Sequence, residues 1–194
     1  MTDWTELTYA VVDVEGNGQQ PPDLVELAIV PIIGGSVGEC VQWLLKPDEP
    51  IKHFATRIHG LRNSDVAEAP KFDHIAPQVR EALDGTVLVA QNAHVDAGLL
   101  ARKLGEAWPH PEVLDTLKLA RRLLPGRKSY RLGELATSLN LAEGLPEGLT
   151  PHRAVYDALV TARLFTLLAE RARTIEALRD IPGMRSADEP PALF

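Results

Sequence analysis

Tyr9-Ala10-Val11-Val12-Asp13-Val14-Glu15-Gly16-Asn17-Gly18 is an apolar run that ends in two acids and a glycine-rich turn. The consecutive apolar residues 9–12 read as a strand buried on both faces. Gly16 to Pro22, with Asn17, Gly18, Pro21 and Pro22, is turn material. Alternate residues of an extended chain share a face, so Asp13 and Glu15 point the same way. Two acids at a strand end are commonly just solvated. Here a buried strand precedes them, and the turn that follows leaves space and backbone amides beside them.

Working outward, residues 24–33 read as a second strand, Gly34-Gly35 as a tight turn, and residues 39–45 as a third strand stopped by Pro47. Three strands joined by short turns make an antiparallel meander. The period then changes. Residues 65–68 suit one helical turn, and Phe72, Ile75, Val79 and Leu83 recur at helical spacing until Asp84-Gly85. Residues 87–90 are a buried strand and 96–104 a helix closed by Gly105; 112–114 form a short strand. Residues 116–124 and 132–139 are helices on either side of Pro125-Gly126, and a long helix follows His152 to about residue 173. The fold class is therefore α/β: a mixed five-stranded sheet, three strands in the meander and two beyond it, with helices on both faces. In such sheets sites collect at strand C-termini and helix N-termini, where Asp13, Asp96 and His152 fall.

The 194 residues fit one domain, expected over 7–173, with 174–194 as a partly disordered C-terminal extension. No apolar run reaches the roughly 20 residues of a membrane span, so no membrane partner is expected. The acidic, polar N-terminus is not a signal peptide. Cys40 is the sole cysteine, which suits a reducing cytoplasm. A net charge of −7 argues against holding nucleic acid by bulk electrostatics. It does not argue against an enzyme that handles a few nucleotides, because bound cations offset negative charge where phosphate approaches.

Asp13, Glu15, Asp96 and Asp157 with His152 make four acids and one histidine. Carboxylates meeting at one point repel unless cations hold them together. The economical reading is a two-metal site for phosphoryl chemistry with His152 as proton acceptor. Asp96 can also be read as a helix N-cap, and both readings can hold if it meets a metal through water. His94 beside it reads as a loop or surface histidine. On an ideal helix the five residues from His152 to Asp157 turn through about 500°, leaving the side chains roughly 140° apart. Both converge only if His152 lies in the loop and the helix starts after it, rather than at Thr150-Pro151. In the basic stretch 118–131, Arg127 and Lys128 follow the Pro-Gly break and are the candidates for phosphate contact.

Together these clusters resemble the DnaQ-like exonucleases of the DEDDh group. Asp13-Val14-Glu15 is similar to their first motif, Asn92-Ala93-His94-Val95-Asp96 to the second, and His152-Arg153-Ala154-Val155-Tyr156-Asp157 to the third. Ala55 to Leu61 resembles the segment lining their terminal-base pocket. Leu114-Asp115-Thr116 and Leu124 to Ser129 also look like family stretches. The resemblance covers about residues 7–172. It implies a ribonuclease H-like fold and release of nucleoside monophosphates from 3' ends. It implies that Asp13, Glu15, Asp96 and Asp157 hold two divalent cations, Mg²⁺ or Mn²⁺, with Asp96 acting partly through water and His152 as general base. Hard carboxylate oxygens favour those ions over zinc. Gly16, Asn17, Gly18, His59, Leu61, Asn92, Arg127 and Lys128 are the expected substrate-binding residues, with the His59 ring offered for stacking from a loop. Gly16-Asn17 replace the threonines often found there, which removes a hydroxyl contact.

The expected partner is single-stranded nucleic acid, DNA ahead of RNA. An exoribonuclease or oligoribonuclease-like trimming enzyme uses the same residues. A non-catalytic polymerase-accessory module would have lost an acid or the histidine. Ala192-Leu193-Phe194 loosely resembles the end of a sliding-clamp-binding peptide, a possible polymerase or clamp partner.

Overall fold

A computed structural model describes residues 1–109 and 111–180. Strand β1 (Tyr9–Gly16) is central. It pairs antiparallel with β2 (Leu24–Ile33) and parallel with β5 (Val87–Ala90), which pairs parallel with β6 (Val113–Asp115). Its first four residues are buried on both faces, as a continuous apolar run requires. Alternation then sorts the side chains. Tyr9 and Val11 point into one core with Val87, Val89, Ala28 and Val30, while Ala10 and Val12 join a second with Leu88, Ala90, Leu27 and Ile29.

Helices cover both faces, as expected. The first core is completed by α4 (Thr116–Leu123), α5 (Leu132–Ser138) and α6 (Ala154–Ala172). The second is completed by α2 (Phe72–Leu83) and α3 (His94–Leu104). At the base of β1, Tyr9 lies 4.7 Å from the Phe165 ring by centroid and donates its hydroxyl to the Trp4 carbonyl at 2.6 Å.

The sheet has six strands rather than five: the expected third strand is found as β4 (Val41–Leu44), and a further two-residue strand, β3 (Ser36–Val37), precedes it, both paired with β2. Pro31 explains the gap between them. Its carbonyl faces this edge and accepts from Gly38 N–H at 2.8 Å, but proline has no N–H to return, so the ladder is interrupted. Residues 65–68 form a turn rather than a helical turn.

Two further helices carry no long apolar period. α1 (His53–His59) buries only Ala55 and His59, at i,i+4 spacing, and is closed by Gly60 at φ 80°. α7 (Ile175–Arg179) buries Ile175 and Leu178, and Thr174 bridges to Asp3. The packed body thus runs past the expected boundary at 173. Residues 181–194, including the clamp-like Ala192-Leu193-Phe194, lie outside the described residues. No helix among the described residues is long and apolar enough to cross a membrane.

Candidate active site

The acids converge where the strand and helix ends meet. Asp13 and Glu15 share one face of β1, and Asp157 lies in the first turn of α6. Each offers a carboxylate oxygen, and these oxygens lie within 4.8 Å of one another. Asp96 stands outside that trio. It is the third residue of α3 rather than its N-cap, which is Ala93. Its Oδ1 accepts from Val14 N–H at 3.1 Å, so it grips β1 between the two strand acids. The N-terminal turns of α3 and α6 both face negative charge favourably.

Like charge and burial outweigh the opposing influence of Arg153 and His152 in this cluster. Burial pushes Asp13 well above the usual carboxylate range, reinforced by the charges of Asp96, Asp157 and Glu15. Glu15 is pushed up to about 8 by burial first, then by Asp157 and Glu26, with Arg153 opposing. Asp96 rises to about 7 through burial, although backbone N–H groups including that of Val14 pull the other way. Asp157 is raised by burial against the opposing influence of His152. Such carboxylates either hold protons or hold cations. Three converging hard oxygens fit a divalent metal, and the cluster has the charge deficit that such an ion would fill.

His152 lies before the helix, as the spacing argument requires: α6 begins at Ala154 with Arg153 as N-cap. Its backbone is left-handed at φ 63°, its side chain is exposed, and its N–H donates to Asp157 Oδ2 at 3.1 Å. The candidate base and a candidate metal ligand are therefore tied to each other directly.

The expected substrate-binding residues divide. Asn17 is fully buried. Its amide donates to the Glu49 carbonyl at 3.1 Å, and its Oδ1 accepts from Gln19 and Asp23 N–H. Its side-chain amide is taken up by the backbone of its own turn and of the segment at Glu49. His59 ends α1 rather than sitting in a loop, and its ring is buried. Nε2 is 3.2 Å from the Gly16 carbonyl, and Nδ1 accepts from Leu61 N–H at 3.1 Å. Neither face of that ring is presented as an open stacking platform, and Leu61 is buried beneath it. Gly16 and His59 instead pin α1 to the end of β1. Gly18 has φ 77°, and a Cβ there would lie 2.7 Å from Phe54 Cζ. Asn92 is exposed at φ 62°. Arg127 donates to Ser138 Oγ at 2.7 Å, and Lys128 is exposed.

Glu26 and Phe54 escaped the sequence reading, and Asp115 and Ile58 entered it only within family-like stretches, with no role of their own. Buried Glu26 on β2 is gripped by Arg153 and Ala154. Buried Asp115 accepts from Asn92 N–H at 3.1 Å and Leu117 N–H at 2.9 Å, fixing the loop that leads to Asp96. Phe54 and Ile58 are apolar yet exposed on α1, Phe54 against Gly18. The sequence signal for Phe54 is that it pairs with Ile58 at i,i+4 spacing and the core takes up neither.

Comparison with known proteins agrees with this geometry. An exonuclease family model matches residues 10–165. Over 177 residues the chain is 34% identical to Exodeoxyribonuclease 10 of Escherichia coli K12, covering 91% of this chain and 76% of that one. It is also 34% identical over 173 residues to the 3'-5' exonuclease DinG of Bacillus subtilis, covering 86% of this chain and 18% of that one. The chain spans only 18%, 27% and 12% of the first three curated relatives it matches. The structure of Exonuclease X in complex with 5' overhanging duplex DNA superposes with TM-score 0.72 at 31% identity, over 88% of this chain and 99% of that one. Escherichia coli Exonuclease I with a dT13 oligonucleotide shares the fold, with TM-score 0.71 at 20% identity over 85% of this chain and 41% of that one. With the acids and the loop histidine in place on this ribonuclease H-like frame, the chain belongs to the exonuclease family, the DnaQ-like group.

Proposed function

We propose that the chain is a metal-dependent 3'-5' exonuclease that releases nucleoside monophosphates from single-stranded DNA or frayed 3' ends. The observation that carries this reading is the convergence of Asp13, Glu15 and Asp157 within 4.8 Å, with His152 hydrogen-bonded to Asp157. Asp13, Glu15 and Asp157 would hold divalent cations directly and Asp96 through water. Two bound Mg²⁺ or Mn²⁺ ions would supply charge neutralisation at the scissile phosphate and a more acidic water.

The chain's own residues do the rest. His152 accepts the proton of the attacking water as its oxygen bonds to phosphorus. The phosphorus–3' oxygen bond breaks and the departing 3' oxygen takes a proton from water, leaving a nucleoside 5'-monophosphate and a shortened strand with a 3' hydroxyl. The exposed ring allows His152 to pass the proton to solvent. Asp157, through the His152 N–H, keeps base and acid cluster in one frame.

Substrate contact is supported by the apolar residues at the site's rim. Phe54 packs against the turn that follows Glu15, and Val95, half exposed, precedes Asp96. Such surfaces suit unpaired bases, which offer a π-face whatever their identity. Lys128 and Asn92 remain candidates for backbone contact. A net charge of −7 supplies no long basic track, so digestion should be distributive and weakly selective for sequence. DNA is favoured because Exodeoxyribonuclease 10 is a relative and the superposed Exonuclease X holds DNA. The lone Cys40 suits a cytoplasmic setting.

The experiment is a time course on 5'-labelled single-stranded DNA and RNA of equal sequence with Mg²⁺, Mn²⁺ or EDTA. The reading expects a ladder shortening from the 3' end, faster on DNA and absent in EDTA. Full activity in EDTA, or rapid cutting of circular single-stranded DNA, contradicts it.

A further inference from the structure

Glu26 is 2% exposed and faces Glu15 across the β1–β2 ladder, which makes it a fifth acid beside the catalytic four. It is fully partnered. Arg153 Nε donates to its Oε2 at 2.9 Å and Nη2 to its Oε1 at 2.6 Å, while Ala154 N–H donates to Oε2 at 3.0 Å. The two residues that supply these three donors directly follow His152 in the chain. On its own side, His152 N–H is held by Asp157 Oδ2. The left-handed backbone at His152 is thus clamped at both ends, from β2 and from α6, while its ring stays exposed. A buried ion pair is poor evidence of stability, since well-packed apolar residues often serve as well. A planar guanidinium fork does fix direction, which one apolar contact does not.

We propose that the Glu26–Arg153 pair is a positioning device for His152: it holds the loop so that the imidazole stands over the acid cluster, and it keeps Glu26 from acting as a further ligand there. The inference rests on the exonuclease reading above. It concerns no direct contact with substrate.

The test separates positioning from stability. Arg153→Met leaves Glu26 buried without its counter-charge and should lower both melting temperature and kcat. Glu26→Gln/Arg153→Met removes the stranded charge and keeps an acceptor for Ala154 N–H. It should recover most of the melting temperature, while kcat on a single-stranded oligonucleotide stays about tenfold or more below wild type. KM and calorimetric Mn²⁺ affinity should stay within about twofold. If kcat recovers with the melting temperature, the pair is only structural and the proposal falls. A raised KM at unchanged kcat would make Arg153 a substrate contact, and a tenfold loss of Mn²⁺ affinity would move its role to the acid cluster; either overturns the proposal. Should the double variant not fold, Arg153→Lys keeps the charge without the two-pronged grip. It must show the same kcat loss at near-normal melting temperature, and full turnover overturns the proposal. Amide exchange over residues 152–156 of the metal-free protein reads the clamp without activity. It should quicken about tenfold in Arg153→Lys, and unchanged exchange refutes the clamp. A wild type inactive on every nucleic acid would defeat the exonuclease reading instead, and the exchange comparison would still decide the clamp.

Discussion

Glu15 and Glu26 sit opposite each other on neighbouring strands, Glu26 buried and Glu15 half-buried, and their partners differ. Glu26 meets a guanidinium and a helix N–H, so every charge has its partner. Glu15 meets Asp13 and Asp157, and it is pushed up to about 8. A buried carboxylate that finds its counter-charge within the chain is architecture. One that faces mainly other carboxylates, with Arg153 already committed to Glu26, is suited to a cation. The same side chain a single strand away thus marks the difference between scaffold and site.

The largest effect should come from emptying the acid cluster. Asp13→Ala should abolish turnover while the fold survives, because its carboxylate makes no hydrogen bond among the described residues and its removal relieves repulsion. The metal-free variant should melt no lower than metal-free wild type. A sharp drop in melting temperature would make Asp13 structural, like Glu26.

Next comes the base. His152→Ala should lower kcat by roughly 10² to 10⁴ and leave Mn²⁺ affinity nearly unchanged, with partial recovery at high pH where hydroxide is abundant. Loss of the ions would show that His152 is a ligand.

The contrast also has a pH signature. Glu15 and Asp96 have folded values raised to about 8 and about 7, above unfolded values near 4. A group raised on folding stabilises fully below its unfolded value, and that contribution is lost as pH rises through the folded one. Metal-free protein should therefore melt at progressively lower temperature from about pH 4 to about pH 8 and level off above that as far as these two groups are concerned. Saturating Mg²⁺ should flatten the slope, because ions favour the ionised acids. A flat metal-free profile would mean that the acids are not mutually strained.

The smallest effect is at the rim. Phe54→Ala should raise KM for a single-stranded end about fivefold or more, given about 1–3 kcal/mol per stacked base, with kcat little changed. An unaltered KM would remove α1 from the substrate path.

What the sequence reveals follows the same division. The burial of β1 is legible because four apolar residues in a row serve two cores at once. Asp13 and Glu15 are legible because a two-residue period puts them on one face. The helical turn angle puts His152 outside α6 if it and Asp157 are to converge, and α6 does start at Ala154. Other features depend on partners distant in the chain. Glu26 looks like an ordinary polar residue in a strand until Arg153, 127 residues later, folds onto it. His59 looks available for stacking until Gly16 and Leu61 take both ring nitrogens. Asn17 stands where a ligand contact is expected, yet it is consumed by the backbone of its own turn. The gap between β3 and β4 is visible only once Pro31 is known to point its missing N–H at that edge. α1 and α7 are too short, with too few buried residues, to show a period.

The most direct test of the central claim is a calorimetric titration of metal-free protein with Mn²⁺ at pH 8, run on wild type and on Asp13→Asn. Acids suited to cations predict saturable binding of two ions per chain in the wild type, weakened at least about tenfold in the variant. No saturable binding, or equal binding by both proteins, would contradict the claim that the cluster around Glu15 is a metal site.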